Sequence, residues 1–378
     1  MKYRTFGKLG IQGSALGLGC MRFNGEASNG VNCDEEKAIS LIRRAIDGGV
    51  TYIDTAYVYL GKTSETVVGR ALRDGYREKV TIATKMPLHA VNCREDMERL
   101  LQEELDKLQT DHTDFYLMHG INRESWEKFK AIGAPEFFDD MKKAGKIRFK
   151  CFSFHGPYED FEYILRDSDW DMVQIQYNFM DINNQAGTKG LELAGSLGIP
   201  VVIMEGLLGG RLAKAPENVQ KLYDEFPVKR SSVEWAFRWL CDHKEVATVL
   251  SGCNEMSQIE ENLRIFDTVE PGIMTEEEHD LIDRVRATYI SRTKVGCTGC
   301  RYCMPCPGGV NIPGVFSAWN NVSLYNEDPA SNWQMINLKK NGDTPEKCLG
   351  CGACERACPQ HIGIIGELKK AWKELTAE

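Results

Sequence analysis

Eight of the 14 cysteines crowd between Cys297 and Cys358, whereas Cys20, Cys33, Cys93, Cys151, Cys241 and Cys253 are scattered singly over the residues before them. Nothing else in the chain constrains it so tightly. Cysteines at this density in a reducing compartment serve metal binding, redox chemistry or core packing rather than a disulfide framework. At 378 residues the chain exceeds one ordinary domain. The expected division is therefore a body over residues 1–290 and a cysteine-organised domain over 291–378. Hydrophobic residues make up 42% and charged residues 27%, which is globular usage. The net charge of −9 provides no basic field for nucleic acid or anionic lipid. The opening residues lack a signal-peptide core, and no apolar run approaches the roughly 20 residues needed to cross a bilayer. The expectation is a cytoplasmic protein with neither a nucleic-acid nor a membrane partner.

Between residues 15 and 290, eight short apolar runs alternate with longer amphipathic stretches. The runs are Leu16–Leu18, Thr51–Ile53, Val80–Thr84, Asp114–Met118, Ile147–Phe152, Met172–Gln176, Ile199–Met204 and Ala247–Leu250. Helix-like segments such as Cys33–Gly48 and Arg94–Leu108 lie between them; the latter carries Met97, Leu100, Leu101, Leu105 and Leu108 on one face. Repeated βα units of this kind predict a TIM barrel, with a doubly wound open sheet as the alternative. Polar placement favours the barrel. Asp54, Lys85, His119, Ser153 and Gln176 each end a different run, and the C-terminal strand ends of a closed parallel barrel converge on one rim.

Asp54, Tyr59, Lys85 and His119 make a chemically coherent set for delivering a proton to a carbonyl oxygen. A phenol with a pKa near ~10 is a poor acid at neutral pH. A neighbouring ammonium favours the phenolate, a carboxylate beside that amine keeps it charged, and an imidazole can hydrogen-bond the substrate oxygen. The segment Tyr52-Ile-Asp54-Thr-Ala-Tyr-Val-Tyr59 followed by Ser64-Glu65 resembles the signature of aldo-keto reductases. Thr84-Lys85, Tyr116-Leu-Met-His119 and Val173-Gln-Ile-Gln176-Tyr-Asn178 extend the resemblance in order and spacing over nearly the whole barrel. It implies a catalytic tetrad of Asp54, Tyr59, Lys85 and His119, with Tyr59 the general acid in carbonyl reduction by NADPH or NADH.

The same resemblance implies that Ser153 and Gln176 hold the nicotinamide carboxamide. It assigns Met204, Gly209, Gly210 and Arg211 to the loop over the nicotinamide and pyrophosphate, and Ser251, Gly252, Asn254, Gln258, Glu261 and Asn262 to the phosphate and adenine end. Small residues opening a helix after the last strand also present free N–H groups to phosphate on physical grounds. Three positions depart from the family pattern: Met204 replaces a stacking aromatic ring, Gln258 stands where many NADPH-preferring members carry Arg, and Phe154 where many carry Asn. A lone Asp, Lys or His at a strand end is more often structural, but several in the right order reverse that expectation. Tyr57 competes with Tyr59 as the acid, and His155 reads as structural. Gly61-Lys62-Thr63 resembles the end of a P-loop without its first glycine.

The tail reads Cys297-x2-Cys300-x2-Cys303-x2-Cys306-Pro, then Cys348-x2-Cys351-x2-Cys354-x3-Cys358-Pro. The second run fits the bacterial 4Fe-4S pattern, in which three closely spaced thiolates ligate one cubane and the cysteine beside proline completes the other. One cluster then takes Cys297, Cys300, Cys303 and Cys358, and the other takes Cys348, Cys351, Cys354 and Cys306. The first run is one residue short of the pattern, which leaves its register open. Structural zinc is the competing reading. The domain resembles two-cluster ferredoxin modules, small and mainly helical, with a longer insert from Pro307 to Lys347. A hydride carries two electrons whereas a cluster normally passes one. Hence either the clusters are structural or serve a separate electron path, or a flavin, a partner protein such as a ferredoxin or flavoprotein, or a radical-tolerant substrate bridges the mismatch. No segment carries a flavin fingerprint, so a flavin has no support within the chain. The leading expectation is an oxidoreductase moving hydride between NAD(P)H and a small-molecule carbonyl or alcohol, with two clusters alongside. The alternative is a ferredoxin- or flavoprotein-linked electron-transfer reductase in which the barrel does not use nicotinamide. The loops Asn122–Ala134 and Asn183–Gly190 carry no readable substrate preference.

Overall fold

The computed structural model describes residues 1–23 and 33–377. Two three-residue strands, β1 (Tyr3–Thr5) and β2 (Gln12–Ser14), pair antiparallel ahead of the main sheet. The chain continues through β3 (Leu16–Gly19), α1 (Glu35–Asp47), β4 (Tyr52–Asp54), α2 (Ser64–Ala71), β5 (Thr81–Met86), α3 (Arg94–Leu108) and β6 (Thr113–Ile121). After β6 come α4 (Arg123–Ala131), α5 (Ala134–Lys143), β7 (Ile147–Phe154), α6 (Tyr158–Arg166), β8 (Met172–Gln176), α7 (Gly187–Ser196) and β9 (Val201–Met204). The remainder comprises α8 (Glu217–Glu225), α9 (Ser232–Asp242), β10 (Val246–Ser251), α10 (Met256–Ile265), α11 (Glu276–Ile290), α12 (Ile312–Tyr325), α13 (Trp333–Asn341), α14 (Ala353–Ala357) and α15 (Ile364–Leu375).

Strands β3 to β10 form a closed, all-parallel eight-stranded barrel, because β10 pairs with both β9 and β3. The eight apolar runs are these eight strands, which rules out an open doubly wound sheet. The runs are legible because parallel barrel strands are buried on both faces and so read as near-continuous Val, Ile, Leu and Phe. Helix α1 illustrates the alternating elements. The Asp34 carboxylate accepts from the Lys37 N–H at its N-terminus, and Ala38, Leu41, Ile42, Ala45 and Ile46 form its buried stripe. The β1–β2 hairpin brings Phe6 against the N-terminal end of the barrel, where its ring lies 5.9 Å from Tyr52 and 5.8 Å from Phe115.

Two compact units emerge. One comprises residues 1–209 and 234–275, and the other residues 210–233 and 276–378. The second unit is helical through its tail, with α12 packed on α15 over a core of Val315, Phe316, Trp319, Met335, Leu338 and Leu368. The insert between the two cysteine runs supplies α12 and α13, and thereby most of that core. Among the described residues no helix is long and apolar enough to cross a membrane.

Candidate active site and cysteine-lined cavities

Asp54 closes β4, Lys85 lies one residue before the end of β5, and His119 lies near the end of β6; Tyr59 follows β4 in a short 3-10 turn. The register places these strand ends side by side, since β4 pairs with β5 and β5 with β6. Lys85 is 1% exposed, and its Nζ donates to Asp54 Oδ1 at 2.6 Å and to the Thr55 carbonyl at 2.7 Å. The same Nζ lies 4.8 Å from the centre of the Tyr59 ring, and the Tyr59 and His119 rings meet edge to face at 5.8 Å. All four residues therefore share one mouth of the barrel.

Burial dominates the electrostatics of this cluster. It works against the Lys85 charge, but the Asp54 carboxylate and the Tyr59 oxygen more than offset it and hold the amine above its usual pKa. Burial lifts the Asp54 carboxyl while the ammonium pulls it down. From the sequence, Lys85 is expected to lower the Tyr59 phenol. The ammonium does pull that way, yet burial is the larger influence and the net direction is up. Burial, reinforced by the Lys85 charge, lowers His119 to about 3, so its imidazole is neutral at ordinary pH.

Supporting contacts surround the cluster. Ser64 Oγ donates to the Cys20 carbonyl at 2.8 Å and lies 2.8 Å from Thr55 Oγ1, and Thr84 Oγ1 donates to Glu65 Oε1 at 2.6 Å. Ser64 and Glu65 thus brace the strand ends that carry Asp54 and Lys85. Tyr57 turns elsewhere, its hydroxyl donating to Glu103 of α3 at 3.1 Å. His155, the residue after β7, is exposed, and partial desolvation by its neighbours lowers its pKa.

The residues expected to hold the dinucleotide fall into three groups. Ser153 Oγ accepts from the Gly120 N–H at 2.9 Å, while the Gln176 side chain donates to Asp181 at 2.6 Å and accepts from Gln185 at 3.0 Å. Met204 ends β9, and its sulfur lies 3.8 Å from Gln174 Nε2. At the last strand, Asn262 Nδ2 donates to Ser251 Oγ at 2.9 Å, and Gln258 Oε1 accepts from the N–H groups of Asn254 and Glu255, capping α10. Glu261 lies on the same helix, partly exposed. Gly210 and Arg211 belong to the second unit, where Arg211 pairs with Glu327 at 3.3 Å.

Sequence reasoning passed over Arg22, three residues beyond β3. A Cβ added to Gly252 would meet its side chain at 3.5 Å, and one on Gly209 would meet its guanidinium at 3.4 Å. Arg22 also lies 3.8 Å from Glu205. A cation held between two glycine loops suits a pyrophosphate, so the residues present fit a dinucleotide. A single Arg after a strand carries no motif; only its strand-end position marks it. A separate cleft, lined by Gly7, Gly195, Ile199 and Lys244 among others, contains none of the expected site residues.

In the second unit the eight clustered cysteines line two cavities. Cys297, Cys300, Cys303 and Cys358 surround one; Cys306, Cys348, Cys351 and Cys354 surround the other. Ile312 lies in the wall of both. Among the described residues no three His, Cys, Asp or Glu side chains converge tightly enough for a single metal ion. Each cavity takes three thiols from one cysteine run and the fourth from the other, which is the ligand pattern of paired 4Fe-4S cubanes rather than of a single tetrahedral zinc.

A (β/α)8 barrel with ionisable groups gathered on its C-terminal rim, joined to a cysteine-lined helical domain, defines a barrel enzyme scaffold carrying an iron–sulfur module. Residues 15–287 match the aldo/keto reductase family and residues 296–362 match the 4Fe-4S dicluster domain. The chain belongs to the aldo/keto reductase family. It is 29% identical over 243 residues to the uncharacterized oxidoreductase YrpG of Bacillus subtilis, covering 57% of this chain and 70% of that one. The aldo-keto reductase AKR11C1 of Bacillus halodurans, in its holo form, superposes with a TM-score of 0.63 at 26% identity, covering 75% of this chain and 96% of the other. An aldo/keto reductase from Klebsiella pneumoniae in complex with NADP and acetate superposes at 0.60 with 24% identity, over 75% of this chain and 95% of that one.

Proposed function

We propose that the barrel transfers hydride between NAD(P)H and a small carbonyl or alcohol substrate, and that the tail holds two 4Fe-4S clusters. The observation that carries the reading is Lys85, buried and bonded to Asp54 at 2.6 Å with its charge over the Tyr59 ring. The nicotinamide, when bound, supplies the hydride. Tyr59 Oη is the proton donor to the carbonyl oxygen, and its own burial keeps that proton in place until the substrate's developing charge draws it off. Lys85 stabilises the phenolate left behind, and Asp54 keeps Lys85 charged and aimed. Neutral His119 orients the carbonyl by a hydrogen bond without competing as an acid. Ser153 and Gln176 are assigned to the carboxamide, Gln176 exchanging its present partners for it. Arg22, with Gly209 and Gly252, is assigned to the pyrophosphate.

The thiols of Cys297, Cys300, Cys303 and Cys358 would hold one cluster, and those of Cys306, Cys348, Cys351 and Cys354 the other, each group being the lining of one cavity. Anaerobic iron and sulfide content, with NADH and NADPH binding on the same preparation, tests both halves. Tyr59→Phe is expected to lower carbonyl turnover by about 10²–10⁴-fold while leaving nicotinamide affinity within about twofold. Unchanged turnover in Tyr59→Phe and Lys85→Ala would sink the catalytic assignment.

A further inference from the structure

Beyond Gly252 the last barrel strand hands the chain to α10, with Glu255 at the N-cap position and Met256 as the first helical residue. A helix start that follows the final strand of a barrel is a ready anion site, because its N–H groups point outward. Here the chain uses those groups itself. Gln258 Oε1 accepts from the N–H groups of Asn254 at 2.9 Å and Glu255 at 3.2 Å, and the Gln258 N–H donates to the Glu255 carbonyl at 3.1 Å.

The charges around this helix are equally committed. Glu255 pairs with Lys37 of α1 at 2.6 Å, Glu260 accepts from two nitrogens of Arg44 at 2.7 Å each, and Arg264 pairs with Glu234 at 2.9 Å. Glu261 adds a carboxylate on the same helix, and Asp34 adds another at the start of α1. Five carboxylates therefore stand against three cations, a net of −2. With the nicotinamide at the tetrad and the pyrophosphate at Arg22, Gly209 and Gly252, the adenosine half of a dinucleotide runs outward past Gly252 to the start of α10. NADPH differs from NADH by one phosphate group, carried on the 2′ oxygen of that adenosine ribose.

We propose that the barrel prefers NADH to NADPH and that Glu255 and Gln258 set this preference. The proposal rests on the hydride-transfer reading given above. A 2′-phosphate arriving at α10 faces the Glu255 carboxylate and the Gln258 amide oxygen, and it recruits Lys37 or Arg44 only by breaking the pair each already makes. Like charges set side by side disfavour binding, whereas a free ribose hydroxyl donates to a carboxylate. Discrimination thus comes from repulsion of one ligand as well as from fit to the other.

The test uses the full chain with its clusters loaded and reads the dissociation constants of NADH and NADPH by titration calorimetry. NADH is expected to bind at least about tenfold more tightly. Raising salt from about 50 to 300 mM is expected to narrow the gap, because the repulsion is screened. The double variant Glu255→Gln/Gln258→Arg is expected to tighten NADPH about tenfold and to leave NADH within about threefold. Gln258→Glu retains an acceptor for the two N–H groups and adds a negative charge; it is expected to weaken NADPH further while NADH stays within about threefold. If loss of the cap unfolds the double variant, Glu255→Gln alone carries the comparison, with an expected gain for NADPH of about threefold. Wild-type protein that binds NADPH as tightly as NADH, or variants that leave the ratio of the two constants unchanged, overturns this proposal and leaves hydride transfer standing. Protein that binds neither dinucleotide overturns hydride transfer by nicotinamide and this proposal with it.

Discussion

Lys85 shows what the site costs and how the sequence disclosed it. An ammonium this deeply buried loses most of its hydration, and only a carboxylate in direct contact keeps it charged. Nature places such a pair where its charge has work to do, so a polar residue ending an otherwise apolar run is a readable signal. Five of them in order, Asp54, Lys85, His119, Ser153 and Gln176, made the rim legible. Arg22 was not legible, because it follows its strand without a motif, and the commitment of Gln258 to the cap of α10 depends on an atom-level contact no spacing announces. The titration behaviour follows from burial. His119, lowered to about 3, is neutral throughout the working range, and Tyr59 keeps its proton beyond the usual phenol range. The profile of kcat/KM for carbonyl reduction is therefore expected to be flat between about pH 6 and 9 and to fall only on the alkaline side, where the acid is lost. A limb near pH 6.5 that disappears in His119→Gln would contradict it.

Helix α3 carries a feature its apolar stripe concealed. Its predicted residues are buried, but so is Glu104, which lies on the same face near Tyr116 of β6 and Glu65 of α2. Burial first, and then the Glu65 charge, pushes the Glu104 carboxyl well above its ordinary range. The sign of the linkage is fixed by that direction. Below the unfolded pKa of about 4.5 both states are protonated and nothing is lost; as pH rises above it the unfolded chain releases the proton and the fold does not, so stability declines. Glu104→Gln removes this decline. Its midpoint of thermal unfolding at pH 8 is expected to exceed wild type by about 2–4 °C, with little difference at pH 4.5. Equal midpoints at pH 8 would mean that the carboxyl is accommodated without penalty. The β1–β2 hairpin escaped the sequence for the opposite reason: three-residue strands leave too short a pattern to read, and Phe6 gains its meaning only from the distant Tyr52 and Phe115.

Across the whole molecule, the cysteine spacing was legible because cluster ligands lie close together in sequence, whereas the grouping of residues 210–233 and 276–290 with the tail depends on contacts between residues far apart along the chain. Helix α11 is matched by the barrel family, yet it packs on α8 and α12. Tyr289, 1% exposed, lies 5.6 Å from the ring of Tyr325, and the Arg292 guanidinium donates to the Ser323 carbonyl at 2.7 Å. Arg211 finds its carboxylate in Glu327. A chain cut after residue 290 keeps every barrel strand but uncovers Tyr289 and strands Arg211. Exposing a buried aromatic face of this kind costs about 3–5 kcal/mol by analogy with aromatic truncation in a core. The 1–290 fragment is expected to melt well below the full chain and to scatter light on heating. Full-length protein with all eight tail cysteines changed to Ser separates the two causes: if it melts with the fragment, the clusters carry the stability, and if it melts well above the fragment, helix packing does. The contacts of Tyr289 and Arg211 predict the second result, and a fragment as stable as the intact chain would refute it.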